Sequence, residues 1–254
     1  MKPDWQRLGR GETLLGAFVS TGSTISAEVL GSAGFDFLVL DLEHGMSSER
    51  DILQQLQAME HTGAGAVVRV ESHERQRVHR ILDVGAHGIM FPRVNTAEEA
   101  RACVAAMRYP PDGTRGVAVL VRASGFGRDF PAYRDASKTA LLTMLQIETE
   151  EAVQNVDEIA AVDGADVLFV GPMDLSTSLG VFRQYDHPKF TAAIARTLEA
   201  AKRHGRTPGI LISSPADFRR YWDLGFRVIT CGTDVSFLQS AAQRTHREMR
   251  DQVR

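Results

Sequence analysis

Two carboxylates stand where apolar runs stop. The run 141–147 ends at Glu148, and Val167-Leu168-Phe169-Val170-Gly171-Pro172 leads into Asp174. A buried strand that finishes on an acid has aimed a charge at the mouth of a core, where desolvation is costly unless a cation or donor meets it. Two such acids on successive strands, with no histidine or cysteine beside them, suit a hard divalent ion better than zinc. Mg²⁺ and Mn²⁺ are the first candidates and Co²⁺ the third. Two protein ligands would leave positions open for water and a chelating substrate. An N-cap and a surface salt bridge would explain either acid taken alone.

Other polar groups end neighbouring runs. Asp41-Leu42-Glu43-His44-Gly45 follows Val39-Leu40, and Arg69 follows Val67-Val68. Arg69 stays charged and offers a planar fork suited to a carboxylate or a developing enolate oxygen. His44 is the one histidine of eight at the end of an expected strand, and Asp41 is near enough in sequence to orient its ring and raise its basicity. Glu43 reads equally as a neighbour of the metal site and as a salt-bridge acid. His73, His79, His187, His204 and His246 fall on polar helix faces or in loops, and His61 and His87 at strand starts, so these seven read as structural. No strand-end lysine offers itself for imine chemistry, because Lys2, Lys138, Lys189 and Lys202 lie in termini, loops or helices.

Elements that could hold these groups on one rim recur along the chain. Expected strands cover 14–20, 35–40, 66–70, 88–92, 141–147, 167–171, 208–212 and 227–231. Segments with helical apolar spacing, 47–62, 96–107, 150–162 and 189–204, lie between them. Eight strands alternating with helices predict a single (β/α)₈ TIM barrel over 1–254, in which catalytic groups stand at the C-terminal strand ends. The competing open doubly wound sheet wants a glycine-rich phosphate turn after its first strand, and Ser20-Thr21-Gly22-Ser23-Thr24 is a poor one. The segment 109–137 breaks the rhythm with Pro110-Pro111-Asp112-Gly113 and Gly125-Phe126-Gly127-Arg128. It reads as a long loop over the active-site face.

Composition narrows the class. Apolar residues at 43% supply a large core, while a net charge of −3 gives no nucleic-acid surface. The N-terminus lacks the apolar stretch of a signal peptide and no run approaches membrane-spanning length, so no membrane partner is expected. Cys103 and Cys231 match no metal spacing and read as reduced thiols. The expectation is a soluble cytoplasmic protein.

The same residues carry a resemblance. Asp41-Leu42-Glu43-His44-Gly45, Val68-Arg69-Val70, Gln146-Ile147-Glu148-Thr149, Asn155-Val156-Asp157-Glu158-Ile159 and the stretch from Phe169 through Gly171-Pro172-Met173-Asp174-Leu175-Ser176 to Gly180 resemble the class II, metal-dependent pyruvate aldolases of the HpcH/HpaI family. That family includes 4-hydroxy-2-oxoheptanedioate and 2-dehydro-3-deoxyglucarate aldolases. The likeness runs in order from about Leu15 to Thr233. It implies reversible cleavage of a 4-hydroxy-2-oxoacid to pyruvate and an aldehyde, with Glu148 and Asp174 on the metal and Arg69 on the keto or enolate oxygen. His44 with Asp41 would move protons. Gln146, Gly171, Pro172, Met173, Phe18 and Ile212 would line the substrate site. Asp83 would reach the site of a neighbouring subunit in a hexamer of dimer pairs with exchanged C-terminal helices.

Phe18 stands where relatives can carry tryptophan, and Gly125-Phe126 follows Arg122-Ala123-Ser124 where another arginine can stand. Both departures bear on the aldehyde side. Two other readings compete. A CoA-thioester lyase of the citrate-lyase-β or malyl-CoA type would need a basic groove, for which Arg115, Arg122 and Arg128 could supply charge. A catalytically silent ligand-binding barrel would have no use for Asp41, His44, Arg69, Glu148 and Asp174 together.

Overall fold

The computed structural model describes residues 3–253. Eight parallel strands close into a barrel in chain order. They are β1 Leu14–Val19, β2 Phe37–Asp41, β3 Gly65–Arg69, β4 Gly88–Phe91, β5 Leu142–Ile147, β6 Val167–Val170, β7 Thr207–Ile212 and β8 Val228–Thr233. Every expected strand is present.

Helices return the chain between strands. The first six are α1 Gln6–Gly9, α2 Thr24–Ser32, α3 Glu49–Ala58, α4 Arg75–Asp83, α5 Ala97–Met107 and α6 Phe130–Ala140. The others are α7 Glu150–Gln154, α8 Val156–Ala160, α9 Pro172–Ser178, α10 Pro188–Arg203, α11 Phe218–Leu224 and α12 Asp234–Asp251. Ser48 and Thr96 close reciprocal capping boxes that fix where α3 and α5 begin, directly after the rim. The segment 150–162, expected as one helix, breaks into α7 and α8 at Asn155. Among the described residues no helix is long and apolar enough to cross a membrane.

Alternate strand residues face opposite ways. Leu14, Phe37, Val39, Val67, Met90, Leu142, Met144, Val167, Phe169 and Val228 form one buried cluster inside the barrel. The residues between them, such as Leu38, Leu40, Val68, Ile89, Leu145, Ile147, Leu168, Val170 and Ile210, form a second cluster against the helices. Both strand faces are therefore buried, which is why the strands read as continuous apolar runs. Trp5 and Leu8 join the inner cluster and stopper it at the N-terminal strand ends. There the Trp5 indole donates to the His87 carbonyl (3.1 Å) and meets the Phe37 ring edge-on.

The segment 109–137 differs from its expectation in two ways. Its last part is helix α6, whose single buried residue, Ser137, leaves no apolar period to read. Its irregular part follows α5 and not a strand, so it opens at the end of the barrel opposite the rim. Arg115 pairs there with Asp83 at the end of α4, and Arg122 bonds the Val84 carbonyl and Glu60. Within its own chain the segment packs along α4 and does not cover the strand C-termini.

Candidate active site

The inner face of the barrel continues outward into the polar rim. On β2, Phe37 and Val39 are followed by Asp41; on β3, Val67 is followed by Arg69. On β5, Leu142 and Met144 are followed by Gln146 and, one step past the strand, Glu148. On β6, Phe169 is followed by Gly171 and then by α9, which starts at Pro172 and carries Asp174 in its first turn. The period of two thus aims these groups into one bowl.

Register pairs Asp41 with Arg69 across β2 and β3. The guanidinium reaches Asp41 through one edge, Nε to Oδ1 at 2.9 Å and Nη2 to Oδ2 at 2.7 Å, while Nη1 lies 3.0 Å from Glu43 Oε2. The ring of Phe18, buried in the inner cluster, lies under it with Arg69 Cζ 5.1 Å from the centroid. Two acids and one aromatic face fix the fork with little freedom.

The expected pairing of Asp41 with the His44 ring is not what the fold provides. The Asp41 carboxylate is taken by Arg69 and by two backbone amides, Glu43 N–H at 3.0 Å and His44 N–H at 3.3 Å. It shapes the turn that carries His44, whose exposed ring has Glu43 as its acidic neighbour, with Nε2 3.9 Å from Oε2. Strand register, a contact between distant residues, outweighs proximity in sequence.

Glu148 is buried. Oε1 accepts from the Arg93 amide at 2.8 Å, and Oε2 from Gln146 Nε2 at 3.0 Å. Burial, reinforced by the fields of Asp174 and Glu43, pushes its carboxyl up to about 7, although the Arg93 amide opposes the shift. Burial raises Glu43 as well, and Arg69 opposes it. Asp174 is exposed at the rim. Asp41, Glu43 and Glu148 thus lie in the field of the Arg69 guanidinium, and Asp174 adds its negative field at Glu148 and Glu43. A Cβ at Gly171 would lie 2.3 Å from Glu148 Oε2 and 3.4 Å from Gln146 Nε2, so glycine alone keeps the space before that oxygen clear.

These features fit a hard divalent ion. The donors are carboxylate oxygens, Glu148 has only neutral partners, and the local charge is negative. Among the described residues no three His, Cys, Asp or Glu cluster at ligand spacing, so Glu148 and Asp174 would leave most positions to substrate and water.

Other expected site residues divide. Gln146, Gly171 and Pro172 are buried at the rim, and Met173 is exposed there. The Gln146 side-chain oxygen is buried without a hydrogen-bond partner. Ile212 belongs to the outer cluster and faces helices; its neighbour Leu211 packs on the inner cluster and is the β7 residue on the barrel side. Asp83 ends α4 against Arg115 and stands away from the rim of its own chain. Lys138 lies on α6 and Lys189 and Lys202 on α10, while Lys2 lies outside the described residues. Arg93 is a site residue that the sequence does not announce: it reaches Glu148 through its backbone, at a left-handed φ of +50° with no side-chain signature.

The arginines considered for a nucleotide groove are committed elsewhere. Arg115 is wholly buried between Tyr109 and Tyr133, with Nη2 2.8 Å from Asp83. Arg122 is bonded as described above, and Arg128 Nε donates to the Gly125 carbonyl.

A closed parallel barrel with acids and one clamped guanidinium at the C-terminal strand ends has the arrangement of a barrel enzyme's active site. Residues 14–241 match HpcH/HpaI aldolase/citrate lyase, and the chain belongs to that family. Enzymes of the family generally depend on a divalent metal. A 5-keto-4-deoxy-D-glucarate aldolase of Enterobacter sp. (strain 638) is 42% identical over 233 residues, 92% of this chain and 91% of the relative. An HpcH/HpaI aldolase/citrate lyase family protein from Burkholderia cenocepacia J2315 superposes with a TM-score of 0.92 at 40% identity, covering 96% of this chain and 98% of that one. The HpcH/HpaI aldolase from Desulfitobacterium hafniense DCB-2 superposes at 0.90 with 28% identity, covering 96% and 95%.

Proposed function

We propose that this chain cleaves a 4-hydroxy-2-oxoacid to pyruvate and an aldehyde, with a divalent ion held by Glu148 and Asp174. The observation that carries the reading is the charge of the rim: four acids, Asp41, Glu43, Glu148 and Asp174, gather around the Arg69 guanidinium. An added cation there would relieve the repulsion and lower the carboxyl of Glu148 into its ionised form. When bound, the ion supplies a Lewis acid for the keto oxygen of the substrate.

The remaining work falls to side chains. A base accepts the proton of the C4 hydroxyl, the C3–C4 bond breaks, and its electron pair moves toward the C2 oxygen. Arg69, held by Asp41 and Glu43, faces that developing negative charge without reorganising. His44 is the base. Its ring is exposed at the outer edge where the aldehyde half would lie, and Glu43 supplies a counter-charge for the imidazolium. Gln146 keeps Glu148 in place. Protonation at C3 then releases pyruvate.

The substrate class follows from the relatives at about 40% identity, which are named 5-keto-4-deoxy-D-glucarate aldolases. Cleavage of such a diacid leaves the far carboxylate on the aldehyde. The exposed apolar residues Val235 and Leu238 of α12, with Val117, Leu120 and Phe126 of the 109–129 segment, support a homo-oligomer; the hexamer of dimer pairs with exchanged C-terminal helices is what the family resemblance implies. In that assembly Asp83 would reach a neighbour's site. The free cysteines support a cytoplasmic location.

The test is pyruvate release, coupled to a dehydrogenase, over a panel of 4-hydroxy-2-oxoacids with Mg²⁺, Mn²⁺ or Co²⁺ added to chelator-treated protein. Metal-dependent release, fastest with the diacid, is expected. No release from any member, or release that withstands chelation, contradicts the reading.

A further inference from the structure

The Ser20-Thr21-Gly22-Ser23 segment binds a carboxylate of the chain itself. Asp234, buried at the first turn of α12, accepts from Ser20 N–H at 3.0 Å and Thr21 N–H at 3.3 Å, and also from the Thr21 hydroxyl. Its own helix contributes Val235 N–H at 3.0 Å. A carboxylate with this many donors, at a helix N-terminus that favours its charge, holds its partners firmly.

Ser20 needs such an anchor. β1 ends at Val19, and its pairing with β8 shifts register between Gly16 and Phe18, so the strand ladder does not extend to Ser20. Its carbonyl in turn accepts from Met46 N–H at 2.8 Å. The turn bearing His44 is thus tied at two points: by Asp41 at the Glu43 and His44 amides, and by Ser20 at Met46. Gly45 is wedged between them, where a Cβ would lie 2.2 Å from the Asp41 carbonyl oxygen and 3.1 Å from that of Ser20. One anchor sits on the strand carrying the turn. The other depends on a residue 214 positions away.

We propose that Asp234 is a positioning residue for proton transfer, holding the His44 turn in place through Ser20 and linking the start of α12 to the rim. The kinetic part of this rests on the lyase reading given above; the positional part does not. Asp234 touches no reacting atom, so its loss should act on kcat and spare the binding of the oxoacid half.

The test combines Asp234→Ala, Asp234→Asn, His44→Ala and the double variant of Asp234→Ala with His44→Ala. Each is assayed for kcat and KM, and amide hydrogen exchange is followed over 42–48. Asp234→Ala should lower kcat about tenfold or more, with KM changed less than about threefold. Exchange at Met46 should quicken by about tenfold, because its acceptor is released. Asp234→Asn keeps an oxygen for the Ser20 amide and should recover part of both effects. In the His44→Ala background, loss of Asp234 should lower kcat by less than about threefold, since residues acting through one another are not additive. Multiplicative losses in the double variant, or unchanged exchange at Met46, would overturn the proposal. If Asp234→Ala does not fold, Asp234→Asn and Thr21→Val carry the same readouts. Should the unmodified protein cleave no hydroxy-oxoacid, the lyase reading fails while exchange over 42–48 still decides whether Asp234 sets the turn.

Discussion

Arg69 and Asp41 meet edge to edge, with Nε 2.9 Å from Oδ1 and Nη2 2.7 Å from Oδ2, on strands whose register puts the two residues opposite each other. The pair turns a flexible side chain into a fixed dipole donor, because rotation of the guanidinium would break two charged hydrogen bonds and the contact with Glu43. It also withdraws Asp41 from any bond to the His44 ring. On the proposed mechanism, charge stabilisation would then fall to Arg69 and proton transfer to His44.

That separation can be measured. Arg69→Lys keeps the charge and loses the fork, and should lower turnover on the order of a hundredfold or more. Exchange of the C3 protons of pyruvate in deuterated water, followed by NMR, should fall with it. His44→Ala should impair cleavage strongly while part of the exchange survives, because the C4 hydroxyl has lost its proton acceptor. Equal loss of exchange and cleavage in both variants would put His44 in the enolisation step as well.

Glu148→Ala and Asp174→Ala should each abolish Mn²⁺ binding by calorimetry with the circular dichroism unchanged. Two carboxylates are few enough that neither is spare. Normal binding in both variants would place the ion elsewhere.

The raised carboxyl of Glu148 has a thermodynamic signature. Its ordinary value is 4.5 and its value in the fold is about 7. Between the two, the native protein holds a proton that the unfolded chain has lost, so stability falls as pH rises through this window and levels off above it. The excursion is about 3 kcal/mol. Glu43 and Asp166, also raised by burial, add slopes of the same sign. The Glu148 share is therefore the difference between chelator-treated protein and Glu148→Gln in urea unfolding from pH 5 to 8. Identical slopes would exclude it.

Asp83 is the hydrogen-bonded acid of a wholly buried arginine. Asp83→Ala should destabilise the chain by about 3–5 kcal/mol, because it leaves the Arg115 charge without its acid. Combining it with Arg115→Met should recover much of that loss in urea unfolding. A stable Asp83→Ala protein would mean that Tyr109 and Tyr133 suffice to hold the guanidinium.

Much of this was legible in the sequence, for a physical reason. Strands buried on both faces appear as unbroken apolar runs, so all eight were found, and an acid ending such a run marks the rim. The same continuity conceals which face points inward. Along 141–148 the polar Gln146 and Glu148 declare it, whereas 208–212 offers no polar marker, and Leu211 rather than the expected Ile212 faces the barrel. Chain proximity points Asp41 to His44, while its strongest partner, Arg69, comes from strand register. The 109–137 segment lies away from the expected face because α5 has already carried the chain to the other end of the barrel. The bond from Asp234 to Ser20 joins opposite ends of the sequence, and no local pattern encodes it.

The packed inner cluster, closed at the other end by Trp5 and Leu8, leaves the bowl at the rim as the open face. The groups that would grip the oxoacid half, Gln146 and Glu148, lie at its floor at 2% exposure each, while the His44 ring stands at the doorway with its side chain 67% exposed. On the proposed mechanism, product-inhibition kinetics should show the aldehyde leaving before pyruvate and, in the synthetic direction, pyruvate binding first; the reverse order would put the aldehyde half deeper in the bowl.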